Sequence, residues 1–159
     1  MPLVRECNVY YDREAYLSYN HLTGKKDKTN PKYRLFVRKV YNIFVFFFFT
    51  SQKWQHKKYI DLNASDWNWK ARNFLYESSR IDLSDCCKLK RGKILKKILN
   101  KKFELVGEVK IDVIDRLRIA YESNNYIIPR RPSTENVPIE FAFAEKEKVK
   151  SIGQDLGIF

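Results

Sequence analysis

Tyr33-Arg34-Leu35-Phe36-Val37-Arg38-Lys39 and, four residues on, Ile43-Phe44-Val45-Phe46-Phe47-Phe48-Phe49 decide the fold class. In the first half Tyr33, Leu35 and Val37 alternate with Arg34 and Arg38, broken only at Phe36. That is the period of a strand with one buried face. The second half is apolar at every position and rich in β-formers, as a strand covered on both faces is. Neither Gly nor Pro separates the halves, so one long strand and two shorter ones are both compatible with the pattern. An exposed run of this kind would aggregate. It therefore belongs inside the domain or against another subunit. From Tyr41 to Phe49 it is too short to cross a bilayer as a helix, which takes roughly 20 apolar residues.

Working outward, Lys57–Leu62 and Phe103–Lys110 have strand character, and Ile139-Glu140-Phe141-Ala142-Phe143 alternates like a last strand. A helix is expected after Asn63 or Ser65 as cap, with Trp67, Ala71, Phe74 and Leu75 at helical spacing. Another is expected from Asp112 to Ser123, with Ile114, Leu117 and Tyr121 on one face, and a short one near Asp12–Asn20. The sum is an α+β class: one small domain over 1–159, a mostly antiparallel sheet and three or four helices. Residues 1–32 read as a loosely ordered N-terminal extension, with Gly24–Pro31 a charged loop, and 150–159 as a short tail.

The 159 residues carry 31 Lys and Arg against 19 Asp and Glu, a net charge of +12. Such a field gathers polyanions. Eight of the cations fall in one stretch without a single acid: Lys88, Lys90, Arg91, Lys93, Lys96, Lys97, Lys101 and Lys102. Ile94, Leu95, Ile98 and Leu99 recur there at helical spacing, so the basic stretch 88–102 is expected to be an amphipathic helix from about Gly92, with a lysine face. Lysines along such a face meet phosphates as point charges, with salt-dependent and largely sequence-blind binding. Tyr59, Trp67 and Trp69 would stack bases if exposed. The leading expectation is a non-enzymatic protein that binds RNA or DNA backbone. A protein–protein adaptor, or a subunit of a larger assembly with an acidic partner, is the alternative, marked by Trp54, Trp67 and Trp69 in one exposed patch. A basic amphipathic helix also suits a membrane surface.

A second signal is Leu105-Val106-Gly107-Glu108-Val109-Lys110-Ile111. Its E-x-K triplet in an apolar strand resembles the active-site strand of the PD-(D/E)XK nucleases. The resemblance implies a Mg²⁺ ion held by Glu108 and a second acid, with Lys110 placing the attacking water. Asp82 is the leading candidate for that acid, with Asp85 and Asp61 behind it. Outside that alternative no cofactor or metal is expected.

Other chemistry is sparse. Cys7, Cys86 and Cys87 are odd in number and lack a C-x-x-C spacing, which argues for reduced thiols rather than a disulfide framework or zinc site. His21 and His56 have no metal-ligand spacing. Arg130-Arg131-Pro132-Ser133 fits basophilic phosphorylation at Ser133, which would subtract charge from a basic surface. Asn63-Ala64-Ser65 is a glycosylation sequon by pattern. The N-terminus lacks a secretory pattern, so the expected setting is intracellular, cytoplasmic or nuclear.

Overall fold

The computed structural model describes residues 3–15, 30–50, 59–71, 79–123 and 135–159. Strands β1 (Asn8–Ala15), β2 (Asn30–Val40) and β3 (Ile43–Thr50) form an antiparallel meander. They are followed by β4 (Tyr59–Leu62), β5 (Trp67–Lys70), β6 (Ser79–Lys90) and β7 (Phe103–Val109). The helices are α1 (Arg91–Leu99), α2 (Ile111–Ser123), α3 (Glu140–Phe143) and α4 (Lys146–Asp155). All seven strands join one antiparallel sheet, in the order β4-β6-β3-β2-β1-β7-β5. The α+β class holds.

The decisive stretch is a hairpin. Val40 pairs with Ile43 across Tyr41 and Asn42. Tyr41 takes φ 54°, a left-handed conformation that disfavours side chains. Its hydroxyl donates to the Lys146 carbonyl at 3.0 Å and its ring meets Phe159 edge-on. These anchors explain why a tyrosine stands where glycine or asparagine is usual.

Strand β3 lies between β2 and β6, and both its faces are covered. Val45, Phe47 and Phe49 enter a core with Val113, Ile114 and Leu117 of α2, Phe141 of α3 and Val149 of α4. Phe44, Phe46 and Phe48 enter a second core with Tyr10, Phe36, Leu89 and Phe103, under Ile94 of α1. The phenylalanine run is thus buried within this domain. Each such ring contributes about 1.5–3 kcal/mol by leaving water, which makes β3 the centre of both cores.

Several expectations are corrected. Residues 8–15, read as extension and helix, are strand β1 inside the sheet, paired with β2 and β7; residues 16–20 lie outside the described residues. The segment at 139–143 is a turn and short helix rather than a strand. Phe141 donates its N–H to the Pro138 carbonyl at 3.0 Å, and five residues are too few to separate a period of two from one of 3.6. Asn63 does cap, but only the 3₁₀ turn Ala64–Asp66, through a capping box with Asp66, and Trp67–Lys70 is strand; Phe74 and Leu75 lie outside the described residues. Residues 146–155 are helix α4, docked through Val149. Its Gly153 leaves room for the returning Phe159 ring, which stacks on Phe141.

Candidate functional site

The basic stretch 88–102 is three structures, with its helix starting one residue before the expected Gly92. Lys88 and Lys90 end β6, where Val45 pairs with Lys88 and Ile43 with Lys90. Arg91–Leu99 is α1. Asn100–Lys102 closes it: Lys101 N–H donates to Ile98 O at 3.0 Å and Lys102 N–H to Lys97 O at 2.7 Å. That is the Schellman pattern, with Lys101 at φ 57° in the left-handed position usually held by glycine.

The orientation of α1 also departs from expectation. Of Ile94, Leu95, Ile98 and Leu99 only Ile94 is fully buried, and Leu99 is 80% exposed. The inward side is Ile94 and Lys97. The helix is turned by about 100°, one residue step, from the apolar stripe. The cause lies beneath it. Arg34 is fully buried on β2 over the Phe48 ring, 4.4 Å from its centroid. It donates to Asp12 at 2.9 Å, to Glu135 at 2.8 Å and to the Cys87 sulfur at 3.2 Å. Burial works against its charge, but Cys87, Glu135 and Asp12 together raise its pKa above the usual arginine value. Lys97 Nζ donates to the other Asp12 oxygen and to the Glu14 carbonyl, both at 3.0 Å. A second cation satisfies this carboxylate better than a leucine would.

The eight expected contacts therefore separate. Lys97 is structural. Lys102 pairs with Glu14 at 3.2 Å. Lys88 is half-buried, and desolvation, then the neighbouring Lys90, lowers its pKa. Lys90, Arg91, Lys93, Lys96 and Lys101 are exposed and, among the described residues, form no ion pair. They crowd one helix and its two ends. The N-terminal end lacks a side-chain cap and an acid in its first turn, so the helix dipole and the cations reinforce one another there.

The stacking residues are not beside this face. Trp67 is buried against Phe49, with ring centroids 6.0 Å apart. Trp69 is exposed on edge strand β5, opposite Glu108, whereas α1 leads into β7 at Phe103. Tyr59 is half-buried on β4. Trp67 and Trp69 do not share an exposed patch, and Trp54 lies outside the described residues.

The nuclease constellation is not assembled. Glu108 is on β7 and accepts from Asn68 Nδ2 at 2.7 Å. Lys110 falls beyond the strand end, at the junction with α2, rather than beside Glu108 on one strand face. Asp82 and Asp85 are on β6, four strands away in the sheet, and Asp61 on β4, five away. At about 4.8 Å per strand, four steps are roughly 19 Å along the sheet. Asp82 is buried and accepts from the backbone N–H of Ser84. Among the described residues no group of three His, Cys, Asp or Glu side chains is placed to hold a metal. Ser133, His21 and His56 lie outside the described residues. Cys7, Cys86 and Cys87 are buried and not joined in disulfides. Among the described residues no helix is long and apolar enough to cross a membrane.

Sequence reasoning missed the Asp12–Arg34–Glu135 cluster. Nothing in the sequence marks it, because Arg34 shares its strand with Lys32, Arg38 and Lys39 and alternates with apolar neighbours as a solvent-facing residue would. It also missed a cleft of about 520 Å³ at the start of α1, lined by Leu3, Val4, Arg5, Glu6, Phe36, Lys39, Phe44 and Arg91. The chain matches no protein-family model and no curated protein.

Proposed function

We propose that this protein is a non-enzymatic binder of RNA or DNA backbone, through Lys90, Arg91, Lys93, Lys96 and Lys101. The supporting observation is that these exposed cations lie on one short helix and at its two ends, and the buried Lys97–Asp12 pair sets the orientation of that helix. A preoriented row of charge meets a phosphate backbone without first ordering itself. The test is fluorescence anisotropy with labelled single- and double-stranded oligonucleotides across a salt series. Affinity falls steeply with salt, and Lys93→Gln with Lys96→Gln lowers both the affinity and the salt slope, the latter by about 2. Absence of binding at low salt overturns the proposal.

A second reading, an adaptor for an acidic protein partner, is favoured by one feature. Leu95, Ile98 and Leu99 are exposed on the same helix, between its lysines. An acidic amphipathic helix would cover these side chains and pair with the cations. Leu95→Ser with Leu99→Ser separates the readings. Oligonucleotide affinity stays within about twofold if phosphate is the ligand, while a partner held by these leucines is lost.

A further inference from the structure

We infer that the exposed apolar side of α1 docks into the acidic cavity at the start of α2 of a second copy of this chain, so that copies associate head to tail. This names the acidic partner of the adaptor reading and rests on that reading; it is independent of phosphate binding. Leu95, Ile98 and Leu99 are exposed on α1, among the exposed Lys93, Lys96 and Lys101. A purely apolar cover would strip water from those cations without compensation. A purely acidic one would leave the apolar side chains in water. The cover is therefore a surface that is both acidic and apolar.

The chain itself carries one. A cavity of about 490 Å³ lies where β7 gives way to α2. Glu6, Glu108 and Asp112 line it against one cation, Lys110, so a chain of net charge +12 is locally acidic there. Glu6 and Asp112 are exposed and, among the described residues, form no ion pair. Apolar surface is present too. Ile111 lines the cavity and is exposed, and the exposed Trp69 stands opposite Glu108 on β5. The two surfaces do not meet within one molecule. Ile94 and Lys97 hold α1 on its own sheet. The helix leads into β7 at Phe103, and Glu108 is five residues, about 17 Å, further along that strand. Two α1 helices would repel each other. The contact is therefore heterologous, helix of one copy to cavity of the next, and leaves both outer ends able to bind again. A helix of nine residues makes a small interface, under about 1,200 Å², so the association is transient.

The test is sedimentation velocity of the whole chain at low salt, from roughly 10 µM to 1 mM, the range in which a transient interface forms. The sedimentation coefficient is expected to rise with concentration and to fall back when salt is added. Two variants divide the contact: Leu95→Ser with Leu99→Ser removes the helix surface, and Ile111→Ser with Asp112→Asn removes the cavity surface. All four side chains are exposed, so the thermal midpoint of each variant should stay near wild type. Each variant alone is expected to remain monomeric. Mixed in equal amounts they are expected to form dimers and nothing larger, because one intact helix then meets one intact cavity. A wild-type chain that stays monomeric throughout, or a mixture that does not associate, overturns the proposal. So does association that survives in either variant alone.

Two further probes separate this proposal from the readings above. A monomeric chain that binds a synthetic acidic amphipathic peptide, with binding lost in Leu95→Ser with Leu99→Ser, overturns self-association and keeps the adaptor reading. A chain that binds neither itself nor the peptide overturns both. Labelled oligonucleotide should bind the cavity variant within about twofold of wild type, since its lysines are intact. Association in a chain that shows no oligonucleotide anisotropy overturns phosphate binding and supports the head-to-tail contact.

Discussion

The Lys97 ammonium lies 3.0 Å from one oxygen of Asp12, whose other oxygen accepts from Arg34 at 2.9 Å. One buried carboxylate thus joins α1, β1 and β2. Asp12→Ala would leave two cations beneath the helix without their shared anion. The expected cost is about 3–5 kcal/mol, as for other broken buried pairs. Lys97→Met, which keeps the stem and removes the charge, is expected to cost less. Urea melts of the two variants and their combination give the coupling. A loss under about 1 kcal/mol for Asp12→Ala would show the network to be relaxed by water.

The rotation of α1 has its own test. Ile94→Ala is expected to destabilise by about 2–5 kcal/mol, the usual range for a buried aliphatic truncation. Leu99→Ala should fall within about 0.5 kcal/mol of wild type, as exposed substitutions do. The apolar stripe read from sequence alone would give comparable losses at both positions, so the ratio decides the orientation.

Lys101 sits in the left-handed position that closes α1. Lys101→Gly removes the Cβ clash but loosens the unfolded chain, so the net gain is smaller than the strain, up to about 1 kcal/mol. The midpoint of thermal unfolding should rise. A fall would mean that the lysine side chain holds the turn.

Burial, and then the fields of Glu6, Glu108 and Asp115, push the Cys7 thiol up to about 11 from 9.0. Between these values the unfolded chain has lost the proton that the folded chain keeps. Stability from Cys7 is therefore full below pH 9.0 and falls as pH rises through about 11. Lys88 acts in the opposite sense. Desolvation, then Lys90, lowers its pKa below 10.5, so the unfolded state binds more protons and stability rises with pH towards that value. Urea melts from pH 8 to 11 as differences between wild type and Cys7→Ser, and wild type and Lys88→Met, should slope in opposite directions. Parallel slopes would refute the pair.

Where the chain is apolar enough to speak for itself, sequence and structure agree. The hairpin of β2 and β3, strand β7 and helix α2 all lie where the apolar period puts them. Strand β1 was hidden because Asp12 looks like a surface residue until Arg34, 22 positions later, is placed beside it. Strand β6 was hidden because its regular alternation breaks between Ile81 and Cys86, where its pairing with β3 shifts register. The boundary between β6 and α1 falls inside a lysine-rich run, and exposed lysine is tolerated in either backbone. The cationic stretch was therefore legible as charge. Which cations remain exposed was not, because that depends on a carboxylate some 85 residues away. Nor was the cleft, whose lining comes from the N-terminal segment, β2, β3 and α1.

Strand β3 acquires its two neighbours at very different times. During synthesis β2 precedes it and can fold back at once, whereas its other neighbour, β6, emerges only after residue 79. Over that interval the nascent chain presents a phenylalanine-rich edge with unpaired amides, the form most prone to join a second ribosome's product. The moment of greatest danger for this protein is thus the interval of translation between β3 and β6, and slowing elongation between residues 50 and 90 would lengthen it.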